Sequence, residues 1–330
     1  MKKYISELRQ DLVSGDWVVI ATGRGKRPHD FSEEKPVPFV QPESGCPFES
    51  LHEDALLVLP ARNEEWFLQV IPNKYPAFSR GDSAPVRSVG PYRATDGVGF
   101  HEVVVTRGHT KPIAEQSNDE VGLIIRAYQE RYLAMKADGR AAYISIFENH
   151  GREAGASLAH PHSQIIATPV IPPDVGRSLR GSREYFRAHR ECVHCVMLRY
   201  ELDQKERIVY ENEHCAVVAP FASKTAFELR LFPKPHRANF EAIEAPEREA
   251  LADALRASLA KLSQGLQKPD YNFFLHTAPA ADTEDFSHYH WHFEILPKTA
   301  IWAGFEIGTG IEISTISPES AAEFLRSIKI

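Results

Sequence analysis

A chain of 330 residues, 43% apolar and 25% charged, has the composition of a folded globular protein with material for two cores, which excludes a disordered or fibrous polypeptide. Lys and Arg number 38 against 45 Asp and Glu, a net charge of -7, and no basic run tracks a phosphate backbone, so nucleic acid is excluded as a partner. The start, Met1 to Arg9, lacks the apolar core of a signal peptide, and nowhere do about 18 apolar residues follow one another, so the chain is expected in the cytoplasm and off the membrane.

Trp17-Val-Val-Ile20 reads as an early strand, followed by Arg24-Gly-Lys-Arg27-Pro28, and the run His101 to Thr106 as a later strand leading to Gly108-His109. Ser117 and Glu120 make a capping box for a helix predicted over Asn118 to Lys136, where Val121, Ile124, Ile125, Tyr128 and Leu133 recur at helical spacing. A β-rich segment through Asn149 then enters a turn containing Gly151, Gly155 and Ser157, and a second strand carries His160-Pro-His162-Ser-Gln164. Pro172 to Arg180 has the Pro and Gly content of a linker, which places a boundary near residue 175 between domains 1–175 and 176–330.

Beyond it the plan repeats. Cys192-Val-His-Cys195 suits metal ligation better than a disulfide in a chain with four cysteines, and Cys215 sits in an apolar run as a core thiol. A strand over Phe227 to Phe232 leads to Pro235-His236. A helix opened by Pro246 then carries Leu251, Leu255, Leu259 and Leu262 on one face, and His290-Trp-His292-Phe-Glu294 closes the copy. Ser317-Pro318 starts a final helix. One helix between antiparallel strands in each copy predicts an α+β fold built by internal duplication.

Histidines two apart on a strand project to one face, so one imidazole can hold a metal while its neighbour reaches a substrate. A neutral imidazole is a competent phosphorus nucleophile near neutral pH, and Gln164 can hydrogen-bond a phosphate oxygen without adding a charge.

In these motifs the chain resembles the galactose-1-phosphate uridylyltransferases of the histidine-triad superfamily, whose signature is His-Pro-His-Gly-Gln after a Gly-rich turn. The resemblance runs from about residue 7 to residue 328 and takes in Arg24 and Arg27, Asn73-Lys-Tyr-Pro-Ala-Phe78, Asn149 to Ser157, and Gly304-Phe305-Glu306. It implies two histidine-triad-like domains, a homodimer, and ping-pong transfer of a nucleoside monophosphate between a nucleotide sugar and a hexose 1-phosphate. His162 would be the nucleophile and Gln164 the phosphate donor. Arg24, Arg27, Asn73, Asn149, Ser157, Gly304, Phe305 and Glu306 would be substrate contacts.

The resemblance also implies two zinc sites, Cys46, Glu49, His109 and His160 in the first copy and Cys192, Cys195, His236 and His290 in the second. Glu49 departs from the family's cysteine, and His52 competes for its place. Some relatives hold iron at the second site through a Glu and three histidines, and His276, His290 and His292 stand as candidates for that version, with His194 and His288 as bystanders. Ser163 in place of Gly, the Cys pair at the second site, Ala300 in place of a Lys, with Lys298 close by, and the ending Gly304 to Gly310 lean toward the branch resembling ADP-glucose phosphorylase, which uses phosphate as acceptor. Uridylyl transfer to a hexose 1-phosphate is the first expectation and adenylyl transfer to phosphate the second. A dinucleoside polyphosphate hydrolase and a nonenzymatic nucleotide sensor are the rivals from other classes.

Overall fold

The computed structural model describes residues 5–23, 39–61, 63, 65–82, 85–281 and 284–330. In chain order its strands are β1 (Glu7–Gln10), β2 (Trp17–Ile20), β3 (Leu57–Leu59), β4 (Leu68–Pro72), β5 (Arg87–Val89), β6 (Tyr92–Ala94), β7 (Phe100–Thr106), β8 (Tyr143–His150) and β9 (His162–Thr168), then β10 (Ile208–Glu211), β11 (Cys215–Val218), β12 (Leu229–Pro233), β13 (Tyr271–His276), β14 (His292–Pro297) and β15 (Ile313–Ser314). Ten of them form one antiparallel sheet in the order β10-β11-β12-β14-β13-β8-β9-β7-β4-β3. Read outward from the β13–β8 junction, each half has the same sequence of partners: β8-β9-β7-β4-β3 on one side and β13-β14-β12-β11-β10 on the other. The α+β class expected from the sequence is the observed one.

The helix Asn118–Asp138 begins at Ser117, whose hydroxyl accepts from the Glu120 N–H while the Glu120 carboxylate accepts from the Ser117 N–H, the predicted capping box. It ends at Gly139, which takes the left-handed conformation. With the helix Ala245–Gly265 it covers one face of the sheet. Ile124, Ile125, Tyr128, Leu251, Leu255 and Leu259 pack there against Ile144, Ile146 and Ile165 of the first half and Phe273, Phe293 and Leu231 of the second. The two halves therefore share one core.

The alternation of side chains leaves the other face of the sheet for function. Gln164 lies opposite Val103 and His162 opposite Val105, so the face away from the helices carries His162, Gln164 and His101 in the first half. His292, Glu294 and Arg230 occupy the matching positions in the second.

The segment from Pro172 to Arg180 is not a linker. It forms the start of a helix, Pro173–His189, because a Pro at the first helical position lacks only an N–H that has no partner there. Val175 and Leu179, one turn apart, bury against Tyr143 and Tyr289. A short three-stranded sheet, β1-β2-β15, closes over the second half through Asp11, whose carboxylate meets Arg230 at 2.9 Å. No helix among the described residues is long and apolar enough to cross a membrane.

Candidate active site and metal centres

His162 is the first residue of β9. Its Nδ1 lies 2.8 Å from the His160 carbonyl oxygen, which can only accept, so the ring hydrogen sits on Nδ1 and the lone pair on Nε2. Burial outweighs that hydrogen bond and pushes the imidazole below its ordinary range, so burial favours the neutral ring a nucleophile requires. Phe48 braces it, with ring centroids 5.4 Å from His162 and 5.6 Å from His160.

Gln164 sits two residues on, and its Oε1 accepts from His101 Nε2 at 2.8 Å. Asn149, at the end of β8, has its Oδ1 bonded by Asn272 Nδ2 at 2.8 Å. Asn73 is close to the same group, its Nδ2 3.0 Å from His101 Nε2. The turn from Gly151 to Ser157 is pinned from two sides. Asp270 accepts from the Glu153 N–H at 2.6 Å, and Gln41 donates to the Ser157 carbonyl at 3.3 Å. Gly151 has φ +86°, and a Cβ there would fall about 2 Å from the Asp270 carboxyl, so only glycine fits this close approach.

Behind β9, on the helix side, Tyr128 donates to Ser163 at 2.7 Å and Tyr271 donates to the buried Glu148 at 3.2 Å. Desolvation raises the Glu148 carboxyl to about 8, against the lowering effect of Tyr271.

Cys46, Glu49, His109 and His160 bring one donor atom each within 4.8 Å of one another, as do Cys192, Cys195, His236 and His290. The tautomers are fixed from outside. His109 Nε2 donates to the Gln41 carbonyl at 2.8 Å, His160 Nε2 to that of Thr106 at 2.7 Å, and His236 Nε2 to that of Ser287 at 2.8 Å. In the neutral ring each therefore turns a bare Nδ1 lone pair inward, the state a metal ligand needs. Glu49 Oε1 lies against His109 Nδ1 and 3.2 Å from His160 Nδ1, with Cys46 Sγ 3.5 Å from the latter. Four electron-pair donors facing one point repel unless a cation stands among them, and this donor set fits one.

At the second cluster Cys195 Sγ lies 3.1 Å from His236 Nδ1 and 3.5 Å from His290 Nδ1. The Cys195 thiol, with His236 and His290, holds the Cys192 thiol well below its ordinary range. A Cys₂His₂ set with thiolate character is compatible with zinc.

Glu49, and not His52, joins the first cluster, because the His52 ring is turned away and its Nε2 donates to the Pro47 carbonyl at 2.7 Å. His276 and His292 stack at 5.1 Å and face Glu294, at 3.8 and 3.6 Å, instead of the Cys192 cluster. His194 is buried, 3.4 Å from Ser182, and outside both clusters, as is His288. Gly304, Phe305 and Glu306 open a short exposed helix, Gly304–Thr309, where the Glu306 carboxylate accepts from the Ala303 N–H at 3.0 Å. No hydrogen bond or ring contact joins them to His162 or Gln164 among the described residues. Arg24 and Arg27 lie outside the described residues. Sequence reasoning missed His101, Asn272, Gln41 and Glu148. His101 had been visible only as the first residue of a strand, and nothing in a linear reading pairs Asn272 with Asn149.

The family model of the galactose-1-phosphate uridyl transferase N-terminal domain matches residues 1–172, and that of a domain of unknown function, DUF4921, matches residues 93–327. The chain is 35% identical to an ADP-glucose phosphorylase of Arabidopsis thaliana, over 98% of this chain and 93% of that one. It is 31% identical to a galactose-1-phosphate uridylyltransferase of Thermotoga maritima, over 98% and 99%. Among solved structures, the Arabidopsis thaliana ADP-glucose phosphorylase with bound ADP-glucose superposes with a TM-score of 0.84 at 32% identity, covering 99% of this chain and 100% of that one. A uridylyltransferase superposes at 0.78 and 28% identity, covering 98% of each.

Proposed function

The chain belongs to the galactose-1-phosphate uridylyltransferase family of nucleotidyltransferases, and from that premise we propose that it passes a nucleoside monophosphate from a nucleotide sugar to a phosphate acceptor by way of a covalent bond to His162. The observation that carries this reading is the His162 ring itself, with Nδ1–H held by the His160 carbonyl and Nε2 presenting its lone pair with no hydrogen-bond partner among the described residues. In the first step Nε2 attacks the α-phosphorus, the P–N bond forms, and the P–O bond to the sugar phosphate breaks with its electron pair leaving on oxygen. In the second an oxygen of the acceptor phosphate attacks the same phosphorus and the P–N bond breaks, returning the lone pair to Nε2. No proton need move in either step, so the rate comes from positioning and from hydrogen bonds to the phosphoryl oxygens by Gln164, Asn149 and Asn73. Ser157, Arg24, Arg27 and, at the start of the Gly304–Thr309 helix, Gly304, Phe305 and Glu306 complete the proposed substrate contacts.

Zinc is the metal the two donor sets fit, and when bound it would order the strands and the turn around His162 without touching the substrate. His160 would then tie the nucleophile to the first metal centre through two residues of backbone. A homodimer belongs to the same reading, as does a division into domains of 1–175 and 176–330 that share one sheet and one core and meet at the start of the Pro173–His189 helix. A dimer interface would cover Ile301 and Ile307, which are 88% and 75% exposed.

Uridylyl transfer to a hexose 1-phosphate is the reading that the family name and the His160-Pro-His162 motif support. Adenylyl transfer from ADP-glucose to phosphate is the second reading. It is favoured by the 35% identity and the TM-score of 0.84, against 31% and 0.78 for the uridylyltransferases compared. Both place the same histidine on the same phosphorus. The protein is incubated separately with UDP-glucose and ADP-glucose, and each labelled enzyme is then offered galactose 1-phosphate or inorganic phosphate. Discharge of a uridylyl-enzyme by galactose 1-phosphate alone supports the first reading. Discharge of an adenylyl-enzyme by phosphate moves the protein to the second, and water discharging either as fast as both acceptors would remove the transferase reading.

A further inference from the structure

Side-chain amides have two ends of opposite polarity, and a phosphoryl oxygen, which only accepts, is helped by one end and repelled by the other. We infer that His101 and Asn272 are positioning residues that fix the amides of Gln164 and Asn149 with their NH₂ ends turned to the transferred phosphoryl group. The inference rests on the phosphate-binding roles proposed above for those two amides.

Backbone groups have a polarity that is not open to choice. The Ala77 N–H can only donate, and it reaches His101 Nδ1 at 3.1 Å, so that nitrogen presents a lone pair. A neutral ring then carries its hydrogen on Nε2, which donates to Gln164 at 2.8 Å, and the end of Gln164 that receives it must be Oε1. Asn73 also approaches Nε2, at 3.0 Å, but its Oδ1 already accepts from the Tyr75 N–H at 2.8 Å. With the hydrogen on Nε2, that approach is donor to donor, and the Asn73 NH₂ keeps its hydrogen bonds for another acceptor.

The second relay has the opposite sign at its source. The Ala154 carbonyl can only accept, and Asn272 Nδ2 lies 2.8 Å from it, so this end of Asn272 is the NH₂. Its other hydrogen goes to Asn149 Oδ1 at 2.8 Å. Each relay thus carries the polarity of one peptide group through one side chain to an amide beside His162. An untethered amide samples both orientations, and the inverted one sets an oxygen against the phosphoryl oxygens. Fixing both in advance removes that reorganisation from the reaction step.

Asparagine and glutamine substitutions separate the two ring nitrogens of His101. His101→Asn keeps an acceptor near the Nδ1 position and loses the donor to Gln164, whereas His101→Gln keeps a donor near the Nε2 position. The rate of nucleotide attachment is measured for the wild type, H101N, H101Q, Q164A and H101N/Q164A, with metal content and melting temperature read alongside. H101N, which frees the Gln164 amide without removing it, is expected to slow attachment on the order of tenfold to a hundredfold, less than the roughly 10²–10³ lost when a preorganised donor is removed outright, and H101Q to recover most of that loss. The double variant should be no slower than Q164A alone, because His101 acts through Gln164. Asn272→Asp, which keeps the shape and removes the donors, should behave likewise against Asn149→Ala. A wild-type rate in H101N, a loss in H101Q equal to that in H101N, or multiplicative losses in the double variant would overturn the inference while leaving the His162 intermediate in place. Failure of the wild type to take up nucleotide would instead remove the proposed function, and the inference with it.

Discussion

Replacing Glu148 by Gln tests how the strand that carries the nucleophile is supported. Glu148 is 2% exposed, lies opposite Ser163 in the β8–β9 ladder, and accepts a hydrogen bond from Tyr271 at 3.2 Å; the His150 ring stands 3.9 Å away, pushed down to about 4 by burial and so neutral where Glu148 ionises. Desolvation holds its carboxyl up at about 8, against about 4.3 for a free glutamate. Between those two values the unfolded chain is ionised and the folded one protonated, so the folded state binds the extra proton. Stability from this group is therefore undiminished at acid pH, starts to fall as pH rises through about 4.3, and is fully lost near 8, a change on the order of several kcal/mol. Glutamine has the shape of the protonated acid and no proton to lose. Urea unfolding of the wild type and Glu148→Gln at about pH 5 and about pH 8 should give nearly equal stabilities at the lower pH, with the variant ahead by several kcal/mol at the higher one. A difference between the two proteins that does not change with pH would refute the buried, neutral carboxyl.

Cys192→Ser should lower bound zinc by close to one equivalent per chain together with the melting temperature, as measured by elemental analysis and thermal scanning. Unchanged metal would remove the second centre. Glu49→Cys, which restores a second thiolate to the first cluster, should slow the loss of one metal to a chelator while leaving the other unaffected. Asp11→Ala leaves Arg230 buried with Glu294 at 3.2 Å and Glu228 at 3.5 Å, so the expected loss is about 3 kcal/mol, the low end for a broken buried pair. Burial alone would raise the Asp11 carboxyl, but Arg230 and the Ser14 and Val13 N–H groups outweigh it and hold it at about 2. That contribution is present above about pH 4 and disappears as pH falls toward 2, so the wild-type advantage over Asp11→Ala should narrow in acid urea titrations.

Much of the fold could be read from local signals. Ser117 with Glu120, Pro246 and Ser317-Pro318 all start helices where expected, because capping chemistry acts within four residues of sequence. Pro172 to Arg180 misled the reading for a related reason. Proline and glycine punctuate both linkers and helix starts, and the burial of Val175 and Leu179 that decides between them is tertiary. The motif His160-Pro-His162-Ser-Gln164 was conspicuous because its residues serve one strand face. Neither His101 nor Asn272 belongs to a motif, and each acquires its partner only when β7 pairs with β9 and β13 with β8. The joining of ten strands into one sheet was likewise invisible, since no local pattern announces that β13 will meet β8.

The chemistry proposed turns on the covalent bond to His162. Wild type and His162→Ala are each incubated with UDP-glucose and with ADP-glucose, quenched, and examined by intact mass and peptide mapping. One nucleoside monophosphate is expected on the peptide containing His162 in the wild type, and none in a variant that keeps its metal and its melting temperature. An adduct of the same size in His162→Ala, or turnover by that variant at the wild-type rate, would contradict it.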